Sequence, residues 1–246
     1  MNRTTLNEPI TRHPIAFVSL GPGEAELITL KGLRILQESD SILCPATASA
    51  GQEKIVSRAA DILHQLDIST DKIKLFPLPM SKDRLLAMQV YDKMYETAAV
   101  LYEAGHRVVV VAEGDAGFYS SIHYVYHRLE TLQIPVCGIP GIPAFIACGA
   151  LAGLHVVQQE ERLVVIPGNT TAGELTACLC SDLTVVIMKL SRCTNELHRF
   201  IAAHPEYYYH YFENAGTEKE YYTTCQNELQ TKAFPYFSLL IIQKHM

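Results

Sequence analysis

The sequence has 246 residues, 48% hydrophobic and 19% charged, which is enough apolar material for a core without metal or disulfide staples and excludes a disordered chain. The formal charge is −6, with 12 basic and 15 acidic residues before position 123 and 8 and 11 after it, so each half carries −3. The basic stripe of a nucleic-acid binder is absent, and no apolar run approaches the roughly 20 residues of a bilayer span.

Residues 1–13 contain Arg3 and Arg12 but no apolar stretch, so they read as a mobile leader and not as a signal peptide. Residues 15–20 are a short apolar run entering Gly21-Pro22-Gly23, a strand leading into a tight loop. Leucines at 30, 33 and 36 predict a helix over 27–37. A strand over 41–44 is expected to stop at Pro45. Residues 53–66 have amphipathic helical spacing, and 73–76 read as a strand ended by Pro77 and Pro79. A long helix is predicted over 82–104, stopped by Gly105, and 107–112 form an apolar strand of the buried parallel type.

The second half keeps the alternation, with strands over 134–139, 162–166 and 183–189, and helices over 143–152, 172–180 and 194–203. Three strands over 207–212, 220–225 and 236–242 then read as a β-meander. Strands alternating with helices predict an α/β protein of two domains, 14–130 and 131–246, the second closing with antiparallel strands. Seven cysteines, an odd number without a Cys-x-x-Cys pair, argue against a disulfide scaffold and fit a reducing cytoplasm. Cys178 and Cys180 read as packing residues.

Three glycine-bearing loops follow apolar strands: Gly21-Pro22-Gly23, Glu113-Gly114-Asp115-Ala116-Gly117 and Pro140-Gly141-Ile142-Pro143. Ligands bind beyond the carboxyl ends of strands in open α/β sheets. The first loop has Glu26 where a dinucleotide fingerprint needs its third glycine, and Glu24 and Glu26 would repel a pyrophosphate. A P-loop is absent, and so is a Gly-x-Ser-x-Gly elbow. The residues leave open whether Gly21 to Gly23 is more than a turn. They also leave Asp115 three roles: to favour a cationic ligand, to hold its loop as an Asx-turn, or to cap a helix begun by Phe118-Tyr119-Ser120-Ser121. His123 and His127 have ligand spacing on one helix face, but no third ligand is in view and no protein-bound metal is expected. The aromatic run from Tyr207 to Phe212 lacks interleaved Lys or Arg and reads as a strand, not a base-stacking platform.

Five blocks together resemble the tetrapyrrole methylase family. They are Val18-Ser19-Leu20-Gly21-Pro22-Gly23 with Leu27 to Gly32; Ala112 to Ser121; Ile139-Pro140-Gly141-Ile142-Pro143; Val186-Ile187-Met188-Lys189; and Phe212-Glu213-Asn214-Ala215-Gly216-Thr217. Within the family, the stretch 76–83, Phe118-Tyr119-Ser120-Ser121 and Met188-Lys189-Leu190-Ser191-Arg192 are most similar to the precorrin-2 and cobalt-factor II C20-methyltransferases. Three positions depart from the family pattern: Ser19 stands for a glycine, Ala116 for the proline of Gly-Asp-Pro, and Pro143 for a Ser or Thr.

The resemblance implies a class III methyltransferase with S-adenosyl-L-methionine (SAM) in the cleft between two α/β domains of a cytoplasmic homodimer. By carry-over, Gly114, Asp115 and Ala116 line the methionine end, with Ser120 and Ser121 beside it. Met188, Lys189, Ala215, Gly216 and Thr217 surround the adenine and ribose. Pro22, Gly23 and Arg84 face the tetrapyrrole, and Lys82, Arg12 and Arg192 are further cations for its carboxylates. The implied reaction is an in-line methyl transfer to a meso carbon that needs little acid–base help beyond loss of one proton, for which the sequence names no base. Other ring positions, uroporphyrinogen III, a protein or RNA acceptor and a non-catalytic binding role stay open at this point.

Overall fold

The computed structural model describes residues 11–48, 55–79 and 84–244. Its contacts divide the chain into two units at Ile142 and Pro143. Residues 1–10 of the expected leader lie outside the described residues, while Arg12 pairs with Glu103 at 2.6 Å.

The first unit is a mainly parallel sheet. β1 (Ile15–Ser19) is followed by a 3-10 turn and α1 (Leu30–Glu38), whose start is set by Thr29: its hydroxyl accepts the Gly32 amide at 3.1 Å. The predicted helix start at 27 therefore shifts to 30. β2 (Ser41–Ala48) runs on through Pro45, where the sequence expects a stop. Its pairing with β5 ends at Leu43, and the Pro45 carbonyl accepts Ser57 Oγ at 2.7 Å, so the missing N–H interrupts no ladder bond there. β3 (Ile55–Val56) occupies part of the predicted helix over 53–66, which shortens to α2 (Arg58–Gln65), capped by Ser57. β4 (Ile73–Pro79) also continues through Pro77 as far as Pro79, because it pairs only with β2 among the described residues and an edge strand tolerates proline.

α3 (Arg84–Glu103) ends at Gly105, whose φ of +84° makes the left-handed stop that glycine permits. β5 (Val108–Ala112) is buried along its whole length, α4 (His123–Thr131) follows, and β6 (Val136–Ile139) closes the unit. The sheet order is β3-β2-β5-β1-β6, with β4 beside β2. Alternate residues face opposite sides. Val18, Ile42, Val109 and Val111 pack on one face with Leu36, Ile62 and Leu63 from α1 and α2. Phe17, Leu43, Val108 and Val110 pack on the other with Tyr91, Met94, Val125 and Leu129 from α3 and α4. β6 hydrogen-bonds to β1 in parallel, so the boundary expected at 130/131 moves to 142/143.

The second unit begins with α5 (Ala144–Leu151), then β7 (Arg162–Ile166), α6 (Ala172–Cys180), β8 (Leu183–Met188), α7 (Thr194–Ala203), β9 (Tyr208–Glu213), β10 (Tyr221–Thr223), α8 (Gln226–Leu229) and β11 (Ser238–Gln243). Its order, β10-β9-β11-β8-β7, contains the expected antiparallel strands but is not a meander: β11 inserts between β9 and β8 instead of pairing with β10. All six residues of β11 are buried, and a central position gives that apolar strand a partner on each side. One face packs on Leu175, Leu197, Phe200, Ile201 and Leu229. Cys178 packs against this core; Cys180, expected to pack, is exposed.

Candidate functional site

β1, β5 and β6 are parallel neighbours, so their following loops emerge at one edge of the first sheet. Backbone bonds bind two of these loops: Gly114 N–H donates to Gly21 O at 2.6 Å and Gly21 N–H to Gly114 O at 3.1 Å. The φ angles of +80° and +66° at Gly21 and Gly114 suit glycine. Asp115 joins the third loop. One of its oxygens accepts the Gly117 amide at 2.8 Å, closing an Asx-turn, and the other accepts the Gly141 amide at 2.7 Å. Of the roles left open, loop-holding is the one its hydrogen bonds fill. It caps no helix, because α4 begins only at His123 and Phe118 to Ser121 lie in the loop, with Tyr119 at a φ of +51°.

Ser19 and Ala116, both departures from the family pattern, meet. Buried Ser19 donates through Oγ to Ile139 O at 2.7 Å and accepts the Ala116 amide at 2.8 Å. A proline at 116 would have no N–H to give. Gly141 presses against the same serine, since a Cβ built there would lie 2.5 Å from the Ser19 Cβ. By contrast, a Cβ at Gly114 would meet nothing within 4 Å. The loop therefore offers bare backbone beside open space, with room for a ligand to approach the main chain. Ser120 is half-buried and its carbonyl accepts His123 Nδ1 at 2.8 Å; Ser121 is exposed.

Pro22 and Gly23 are buried within the first loop. Arg84 is exposed at the start of α3, its guanidinium 5.5 Å from the centre of the Tyr124 ring. Lys82 lies outside the described residues. Among the described residues no three His, Cys, Asp or Glu side chains converge as metal ligands; His127 instead pairs with Glu130 at 3.1 Å. Among them, too, no helix is long and apolar enough to cross a membrane.

In the second unit, β11 brings the two remaining blocks together at one sheet edge. Met188 pairs with Leu239 on one side of β11, and Glu213 pairs with Ser238 on the other. The blocks are thus two strand spacings, about 10 Å, apart. Lys189 has a φ of +58°, and its amide donates to Ser238 O at 3.2 Å. Gly168 fits tightly here, because a Cβ on it would lie 2.6 Å from Lys189 O and 2.7 Å from Met188 O. Burial, then repulsion from Arg192, lowers the Lys189 ammonium pKa. Ala215, Gly216 and Thr217 form a half-buried turn. Gly216 N–H donates to Glu220 Oε2 at 2.7 Å, and Thr217 Oγ1 to Asn214 O at 2.7 Å.

One acid–base pair is not singled out by the sequence. Arg58, the first residue of α2, lies 3.5 Å through Nε from Oε2 of Glu113, the residue just before Gly114. Burial raises the Glu113 carboxyl pKa; Arg58 opposes this and Asp61 adds to it. The only sequence signal is an acid at the end of an apolar strand.

The sequence model of the Tetrapyrrole (Corrin/Porphyrin) Methylases matches residues 14–229. The chain is 31% identical to the precorrin-2 C(20)-methyltransferase of Sinorhizobium sp. over 235 residues, which cover 92% of this chain and 93% of that one. It is 27% identical to the cobalt-precorrin-2 C(20)-methyltransferase of Salmonella typhimurium, over 70% and 71% of the two chains. In fold it resembles the Thermus thermophilus uroporphyrin-III C-methyltransferase solved with S-adenosyl homocysteine: the TM-score is 0.66 at 17% identity, covering 94% of this chain and 98% of that one.

Proposed function

The chain belongs to the tetrapyrrole (corrin/porphyrin) methylases, and from that premise we propose that it methylates C20 of precorrin-2 or cobalt-factor II in cobalamin biosynthesis, with SAM as methyl donor. The observation that carries this reading is the nearly end-to-end similarity to a precorrin-2 C(20)-methyltransferase.

SAM supplies an electrophilic methyl group on a sulfonium leaving group. The protein's task is then to fix the acceptor carbon in line with that methyl and to keep water away. Such positioning can supply about 7–11 kcal/mol of a barrier. Gly114, Asp115 and Ala116 are the proposed contacts to the methionine end, with Ser120 and Ser121 beside them. Asp115 and Ser19 contribute rigidity, because their hydrogen bonds fix the loops from three strands. Met188, Lys189, Ala215, Gly216 and Thr217 contact the adenine and ribose chiefly through backbone groups. Pro22, Gly23 and Arg84 contact the tetrapyrrole. A homodimer in the cytoplasm completes the reading. The seven cysteines form no disulfide, in keeping with that compartment.

The test is methyl transfer from SAM to precorrin-2 and to cobalt-factor II, with the mass of each product and the position of its new methyl determined. A single methyl at C20 of one of them is expected. Methylation elsewhere on the ring would assign the chain to another step, and calorimetry finding no affinity for SAM or S-adenosyl homocysteine would remove the cofactor.

A further inference from the structure

The proton that must leave the methylated carbon needs an acceptor, and Asp115 is poorly placed to be it, with both oxygens holding backbone amides. Glu113 differs. It stands at the end of β5, one residue before the Gly114 backbone that bridges to the Gly21 loop. Its ion pair to Arg58 Nε is long at 3.5 Å, and 30% of its side chain is accessible, against 17% for Arg58. Asp61 of α2 adds a like charge. The Cys44 thiol of β2, held against Ser57 at 3.4 Å, is pushed up to about 11 by burial and stays protonated. A half-buried carboxylate whose ion pair is long, whose pKa burial raises and which has a neighbour of its own sign has the surroundings of a general base.

We propose that Glu113 is the base that accepts the proton lost from the methylated meso carbon, held in place by Arg58. The inference rests on the C-methyltransferase reading above. In the reaction, the sulfur–methyl bond breaks with its electron pair left on sulfur, and π electrons of the meso carbon form the new carbon–carbon bond. That carbon is then tetrahedral, bearing hydrogen and methyl, on a cationic ring. Passing the hydrogen as a proton to a Glu113 oxygen returns the C–H electron pair to the conjugated ring. No oxidant or reductant is required.

Glu113→Gln and Glu113→Asp are compared with the wild type, using SAM and precorrin-2 with hydrogen or deuterium at the acceptor carbon. The Gln variant is expected to lose about 10²- to 10⁴-fold in kcat, with SAM affinity by calorimetry within about twofold of wild type. The Asp variant is expected to recover part of the rate and to show an enlarged deuterium effect as proton loss becomes limiting. The wild-type rate should rise with pH as the carboxyl ionises. Arg58→Met, removing the charge that favours ionisation, should move that rise to higher pH, and Asp61→Asn to lower pH. An acid that merely anchors α2 would lower the melting temperature on substitution and leave both the pH profile and the isotope effect unmoved; that result overturns the proposal, as does a Gln variant within about threefold of wild-type kcat. If the Gln variant fails to fold, an Asp variant with unchanged profile and isotope effect overturns it equally. A wild type that binds SAM but methylates no tetrapyrrole removes the underlying reading and this inference together, whereas an active wild type with an active Gln variant removes this inference alone.

Discussion

The Ser19 hydroxyl needs the Ala116 amide, so the two departures compensate each other. Residue 116 is the second position of a turn closed by Phe118 N–H on Asp115 O at 3.1 Å, a place that accepts proline. Ala116→Pro alone should strand the buried serine lone pair and crowd its oxygen. Ser19→Gly alone should strand the amide of 116 and add backbone freedom to β1. Each is expected to destabilise by about 1–3 kcal/mol. The double variant restores the pairing of small residue and proline and should fall short of the sum by at least about 0.5 kcal/mol. Urea unfolding of the four proteins measures this, and strict additivity would show the two sites to be independent. The glycine loops and Asp115 were legible in the sequence because backbone chemistry is written locally, in glycine spacing and strand ends. The Ser19–Ala116 contact and the Arg58–Glu113 pair were not. Their partners lie 97 and 55 residues apart, and only the order of strands in the sheet brings them together.

Among elements, periodicity located most helices because one face of each is buried, but the starts of α1, α2 and α4 lie later than expected and the short α8 was not foreseen. Strand ends were less legible. Pro45, Pro77 and Pro79 read as stops, yet pairing continues through Pro45 and Pro77 and ends only at Pro79, since the cost of a proline depends on whether a partner strand needs its N–H. The meander failed for a related reason: order in an antiparallel sheet follows which strand is apolar on both sides, and β11 is, whereas β10 is largely exposed. The start of α1 gives a direct test at this scale. Thr29 is its cap and the link between the first glycine loop and the helix. Thr29→Ala should leave one orphan donor and destabilise the protein by about 1 kcal/mol, seen as a lower urea midpoint with an unchanged slope. Thr29→Ser should retain most of the stability. Equal midpoints for all three proteins would mean that packing of Leu36 and its neighbours alone sets this end.

Over the whole molecule, two α/β units were legible from alternating strands and helices, but their boundary was not, because nothing in residues 131–142 records that Val136 to Ile139 pair with β1. Charge is the property that belongs to the entire chain. At −6, with both halves negative, the protein is expected to repel the proposed polycarboxylate substrate at long range, while the proposed attraction comes from close contacts with a few cations such as Arg84 and Arg192. These effects respond differently to salt. Raising ionic strength from about 0.01 to 0.15 M shortens the screening length from about 30 to about 8 Å. That removes most of the long-range repulsion but leaves contacts at a few ångströms nearly intact. Substrate capture should therefore improve: kcat/KM for the tetrapyrrole at subsaturating concentration is expected to rise by about two- to threefold over this range, with kcat unchanged. Arg84→Met with Arg192→Met removes close attraction and leaves the remaining protein two charges more negative, so its kcat/KM should start lower and climb more steeply with salt. A wild-type kcat/KM that falls as salt is added would mean that a local positive field, and not the net charge, governs the approach of the substrate.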